Sequence, residues 1–208
     1  MSIIRPFKGI RPRADLASAI AALPYDVYNS EEAREIVAAE PKSFLQIDRA
    51  ETLLPKGTNP YSEAVYKTAS ETLNRMIDEG SFLQDKEPCY YLYALTMNGR
   101  TQTGLVGCAS IDDYCNNVIL KHENTLEAKE QDRIRHIDAC SAQTGPIFLA
   151  YRADKKLGEI IKNVRLTPEV YDFTSDDGIR HEVWRIDKMS TIVDISKIFE
   201  AIPHLYIA

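Results

Sequence analysis

Asn98-Gly99 separates two β-rich runs, Cys89 to Met97 and Thr101 to Ile111. Both residues tolerate the positive φ that a two-residue hairpin turn requires, so the pair predicts that the flanking runs lie antiparallel. A second such pair, Glu169 to Thr174 and Ile179 to Ile186, flanks Asp176-Asp177-Gly178 and predicts another hairpin. Helical patterns lie between and around them. Asn29 with Glu32 has the spacing of a capping box, opening a helix that Pro41 ends. Val65, Ala69, Leu73, Met76 and Ile77 form an apolar stripe over a predicted helix 60–79, with Pro60 at its first position and Gly80 past its end. Further helices are predicted over 155–164 and 188–201, and strands over 43–49, 147–152 and 204–208. Hairpins mixed with helices, rather than regular strand–helix alternation, point to an α+β fold with a mixed or antiparallel sheet. Helices 60–79 and 125–142 are expected to cover that sheet, and the 208 residues to form one domain.

At 44% hydrophobic and 27% charged residues the composition is that of a globular protein. No apolar run is long enough to span a bilayer, and Met1-Ser2-Ile3-Ile4-Arg5-Pro6 lacks an apolar signal core, so a cytoplasmic protein without a membrane partner is expected. A net charge of −6 argues against a broad nucleic-acid surface, which needs clustered Lys and Arg. Tyr90, Tyr91 and Tyr93 are residues that strands favour in any case. Cys89, Cys108, Cys115 and Cys140 show no zinc-ligand spacing, so no metal ligand is assigned and the thiols are expected to be reduced and mostly buried.

Titratable side chains are densest between Lys121 and Arg152. Asn124 and Glu127 resemble an N-cap pair, which predicts a helix from about Thr125 to Ala142. Lys129, Asp132, Arg133 and His136 follow the i, i+3, i+4, i+7 spacing and share one stripe, with Leu126, Ile134 and Ile137 nearer the core side. Lys121, His122 and Glu123 precede the helix directly. A carboxylate, two imidazoles and several cations near a helix start suit an anion site with an adjacent general base. The alternative is a solvated surface helix in which Asp132 pairs with His136. Gln143 and Thr144 could present an amide and a hydroxyl to a ligand, or cap the helix end before Gly145-Pro146. Asp26, in the turn Pro24-Tyr25-Asp26-Val27, is either a site ligand or a carboxylate capping local amides. His181 and Trp184, three apart on a strand, should face opposite sides of the sheet.

These motifs, in this order, are similar to the DUF1015 family: Pro24-Tyr25-Asp26-Val27, Lys121-His122-Glu123-Asn124-Thr125 with Lys129, Asp132 and Arg133, Gln143-Thr144-Gly145-Pro146-Ile147-Phe148, and Gly178 with His181 and Trp184. The resemblance covers essentially the whole chain. It implies distant kinship with the ParB/sulfiredoxin superfamily, which includes nucleotide-hydrolysing partition proteins and free-serine kinases. It gives His181 a possible site role beside the alternative of a core-edge hydrogen bond. It also implies a continuation beyond His204-Leu205-Tyr206-Ile207-Ala208 into an Asp-Gly-His-His-Arg motif, so the chain is expected to be the N-terminal portion of a longer protein.

The expected activity is phosphoryl transfer to a small hydroxyl compound, with L-serine suggested by the resemblance and a nucleotide or pyrophosphate, with Mg²⁺, as donor. Such catalysis is mostly positioning and charge neutralisation. Lys121, Lys129 and Arg133 would hold phosphate, with Thr125, Asp132, His136, Gln143 and Thr144 around them. Glu123 is the expected base and His122 the other candidate. No Gly-x-x-x-x-Gly-Lys-Ser/Thr loop is present, which excludes a P-loop kinase. The alternatives are a nucleotide-binding regulatory protein of the ParB kind and a scaffold without activity of its own.

Overall fold

The computed structural model describes residues 1–121 and 126–208. In chain order the strands are β1 (Ile4–Arg5), β2 (Ile10–Pro12), β3 (Phe82–Gln84), β4 (Tyr90–Met97), β5 (Arg100–Val106), β6 (Cys108–Ala109), β7 (Ile119–Leu120), β8 (Leu149–Ala150), β9 (Tyr171–Thr174), β10 (Arg180–Ile186) and β11 (Leu205–Ile207). The α-helices are α1 (Ala17–Ile20), α2 (Ser30–Ala39), α3 (Leu45–Asp48), α4 (Glu63–Asp78), α5 (Ile111–Cys115), α6 (Glu127–Cys140), α7 (Lys155–Val164) and α8 (Met189–Ala201). Helices and small antiparallel or mixed sheets make this an α+β protein. No described helix is long and apolar enough to cross a membrane.

Two compact units divide the chain: residues 1–14, 84–123 and 147–208 form unit 1, and residues 15–83 and 124–146 form unit 2. Buried apolar side chains gather in two clusters, one in each unit.

Unit 1 contains the antiparallel sheet β5-β4-β10-β9, built from both predicted hairpins. Asn98 (φ 51°) and Gly99 (φ 75°) supply the left-handed pair in the first turn. Tyr90, Leu92 and Ala94 on β4 alternate inward and meet Trp184 and Ile186 of β10, with Ile195 and Phe199 of α8 in the same cluster. A mixed sheet, β7-β11-β8, sets β11 parallel to β7 and antiparallel to β8. The segment predicted as a strand over 147–152 is thus the short β8, and it pairs with β11.

A polar hub in unit 1 is the buried carboxylate of Asp85. It accepts from Arg11 Nε and Nη2 at 2.9 and 3.0 Å, from Tyr91 Oη at 2.5 Å and from Arg185 Nη1 at 2.9 Å. Burial alone would raise this carboxyl, but the donors from Arg11, Tyr91 and Arg185 bring it down to about 2. Tyr91 reaches Asp85 past Gly9, where an added Cβ would stand 2.3 Å from the phenolic oxygen.

Unit 2 is helical. Its cluster joins Ile20, Ile47, Ala50, Val65, Ala69, Leu73, Met76, Phe82 and Cys140, and α4 lies against α6. The capping box at α2 forms as predicted: Asn29 Oδ1 accepts from the amides of Glu31 and Glu32, and Glu32 Oε2 accepts from the Asn29 amide. Helix α4 starts at Glu63, three residues beyond Pro60. The strand predicted over 43–49 is instead the helical turn α3, with Leu45, Gln46 and Ile47 all buried. Gln46 explains the difference, because its Nε2 closes the turn by donating to the carbonyls of Pro41 and Ser43.

Candidate functional site

Helix α6 begins at Glu127 with Leu126 in the N-cap position, later than the predicted start near Thr125, and ends at Ser141 in the left-handed region. Its orientation reverses the predicted one. Leu126 and Ile134, expected to face the core, are exposed, whereas His136 and Cys140 are buried. A helix this poor in apolar residues buries its polar stripe, and the buried groups must then find partners. They find them within unit 2, around Asp48 at the end of α3.

The Asp48 carboxylate accepts from Thr144 Oγ1 at 3.0 Å. Arg133 Nη1 and His136 Nε2 approach the same Oδ1 at 3.9 and 4.0 Å. Burial raises the Asp48 carboxyl above the ordinary range, although His136, Thr144 and Arg133 each pull the other way. Asp132, expected to pair with His136, instead accepts from Tyr66 Oη at 2.8 Å and from Arg133 Nε and Nη2 at 3.1 and 2.9 Å. Burial, then the bond to Asp132, pushes the Tyr66 phenol up to about 12. The Arg133 guanidinium lies 4.1 Å from the centre of the Tyr25 ring, a cation–π contact.

His136 Nε2 is 3.1 Å from the Ile47 carbonyl, which can only accept, so Nε2 carries a proton and donates it there, while Nδ1 is the ring's other nitrogen. Cys140 Sγ lies 4.0 Å from that Nδ1. A Cys–His–Asp series invites a nucleophilic reading, but burial and the nearby Asp48 push the thiol up to about 11. At neutral pH Cys140 is therefore a protonated thiol and a poor nucleophile.

Asp132, Arg133, His136 and Thr144 thus come together as one network, with Asp48 at its centre. Gln143 turns away, its Nε2 donating to the Gly145 carbonyl at 2.7 Å. Lys129 is exposed on α6. Asp26 is exposed in a turn closed by the Val27 amide to the Pro24 carbonyl at 3.0 Å, and that turn leads into the α2 cap. The predicted residues His122, Glu123 and Thr125, and the predicted cap Asn124, lie outside the described residues.

Two other candidates belong to unit 1. Lys121 is exposed with Nζ 4.2 Å over the Tyr114 ring. His181 bridges Tyr93 Oη at 2.7 Å and Ser175 Oγ at 2.9 Å, stacks on Phe173, and faces the opposite side of β10 from buried Trp184. Two of the four cysteines, Cys108 and Cys115, are exposed, against the expectation that most would be buried. Among the described residues no group of three or more His, Cys, Asp or Glu side chains is arranged to hold a metal ion.

Asp48 and Tyr66 were not singled out from the sequence, and Tyr25 only as a member of the Pro24-Tyr25-Asp26-Val27 motif. The local signal for Asp48 was its place beside Arg49 in Gln46-Ile47-Asp48-Arg49, a charged pair directly after a buried run. A family model described as "Protein of unknown function (DUF1015)" matches residues 4–208. No curated protein and no solved structure matches the chain.

Proposed function

The chain belongs to the DUF1015 family, and on that premise we propose that it serves a phosphotransferase acting on a small hydroxyl compound, with Arg133 as a phosphate-binding cation. The observation that carries the reading is the pairing of Arg133 with Asp48. Asp132 and the Tyr25 ring hold the guanidinium on two sides, and its Nη1 edge turns toward a carboxyl whose proton affinity burial has increased. A cation held in a fixed orientation neutralises phosphate oxygens, and a carboxylate of raised pKa accepts a hydroxyl proton more readily. Asp48 already takes a hydrogen bond from an alcohol, that of Thr144.

Asp48 is therefore a candidate base. The resemblance to free-serine kinases makes L-serine the first acceptor to try, with Lys129 of the same helix as a further phosphate contact. Mg²⁺ would accompany the donor.

Conversion of labelled L-serine by the native gene product, with ATP, ADP, CTP and pyrophosphate in turn, tests the reading. Asp48→Asn should lower turnover by roughly 10²–10⁴-fold while donor binding persists. Arg133→Ala should weaken donor binding as well. Absence of product with every donor, alongside tight CTP binding, would transfer the reading to a nucleotide-responsive regulator.

A further inference from the structure

Asp48 is followed directly by Arg49, and the two side chains serve the same cation from different sides. Arg49 Nη1 donates to the carbonyls of Tyr25 and Tyr28 at 2.9 and 2.8 Å. Its Nη2 donates to Ser30 Oγ at 2.8 Å and its Nε to Glu51 Oε1 at 2.7 Å. Both Arg49 and Glu51 are largely buried, with 17% and 4% of their side chains exposed. One planar guanidinium therefore fixes two carbonyls of the segment that follows Pro24, and that segment carries the Tyr25 ring against Arg133. Lysine cannot replace it, because an ammonium lacks the rigid fork that reaches several acceptors at once.

We infer that Arg49 is a positioning residue for the Arg133 anion site: it holds the Tyr25 ring where it orients the Arg133 guanidinium. The anion's identity rests on the phosphotransfer reading; the positioning does not. A merely structural Arg49 would affect stability and leave the environment of Arg133 unchanged in any variant that folds. A positioning Arg49 moves both. The ring current of Tyr25 supplies the readout, since a proton over an aromatic face resonates upfield of its usual position.

The experiment follows the Arg133 Nε–Hε resonance in the native gene product, assigned by its disappearance in Arg133→Lys, together with pyrophosphate affinity by calorimetry. Tyr25→Leu should remove the upfield shift and weaken pyrophosphate binding about tenfold, within the span of a cation–π contact. Tyr25→Phe should change neither. Arg49→Lys should move the resonance toward the Tyr25→Leu position and weaken binding to a similar degree. Ser30→Ala loosens the same guanidinium without removing it and should shift the resonance in the same direction by less. If Arg49→Lys does not fold, Ser30→Ala decides the outcome. A native resonance in every folded variant of Arg49 and Ser30 would overturn the inference. Loss of the shift in those variants, with no binding of pyrophosphate, ATP, ADP or CTP by the wild type in the same calorimetry, would sink the phosphotransfer reading and leave the positioning role standing.

Discussion

Thr144 and Asp48, 96 residues apart in sequence, share a 3.0 Å hydrogen bond in which the threonine hydroxyl donates to Oδ1. That bond stabilises the ionised carboxylate, while burial opposes it and prevails. The Asp48 carboxyl should therefore titrate above its ordinary value of 3.8 when followed by carbon-detected NMR. Thr144→Ala should raise the midpoint further. The folded state binds this proton more tightly than the unfolded chain does, so the Asp48 contribution to stability is fully present below the unfolded pKa and is lost as pH rises through the folded one. Asp48→Asn should flatten that part of the stability profile, and a midpoint at or below 3.8 would contradict the description of the site.

Asp85 shows the opposite sign. Its pKa is held down to about 2, so its contribution is present above the unfolded carboxylate range and disappears as pH falls through about 2. Asp85→Asn leaves Arg11 and Arg185 without their common anion and should cost on the order of 3 kcal/mol at neutral pH, measured by urea denaturation.

Gly9→Ala and Gly104→Ala form a matched pair in unit 1. At Gly9 the new methyl meets Tyr91 Oη and must displace the hydroxyl that serves Asp85, a cost of roughly 1–3 kcal/mol by the usual scale of overpacking. At Gly104, within β5, nothing lies within 4 Å of the added Cβ. There the substitution should be neutral or stabilising by up to about 1 kcal/mol, since alanine loses less backbone freedom on folding. Equal effects at the two positions in thermal melts would count against the packing described around Tyr91.

Under native conditions a thiol reagent should label two cysteines, Cys108 and Cys115, and leave Cys89 and Cys140 untouched until the chain unfolds. Cys140 should stay slow even at pH 9, because its thiol titrates near 11. Mass spectrometry of the labelled peptides distinguishes the sites, and fast labelling of Cys140 would contradict its burial.

Local chemistry was legible in the sequence where a few neighbouring residues settle the backbone. Asn98-Gly99 is one case, since positive φ at both positions dictates the hairpin; Asn29 with Glu32 is another, since each side chain satisfies the other's amide. The site was legible only in part. Arg133, Asp132, His136 and Thr144 were found by their density, but which way α6 turns was not, because Ile134 and Leu126 weigh toward burial in any periodicity and yet are exposed. Tertiary contacts decide that orientation, through Tyr66, Ile47 and Asp48, residues distant in sequence from α6. Asp48 was hidden for a related reason: Leu45 and Ile47 alternate as a strand would, while the bonds from Gln46 that close a helical turn leave no periodic trace.

The division of the chain sets an order on its synthesis. Every residue of unit 2 has left the ribosome's catalytic centre once Pro146 has been added, whereas unit 1 draws on residues 1–14 and also on residues 147–208. β11, the middle strand of β7-β11-β8, comes from residues 205–207, so β7 and β8 have no strand to pair with in that sheet until then. During vectorial translation the helical unit can therefore close its core first, while the apolar faces of β4 and β10 await α8. Those faces are where a nascent chain of this protein would most need a chaperone.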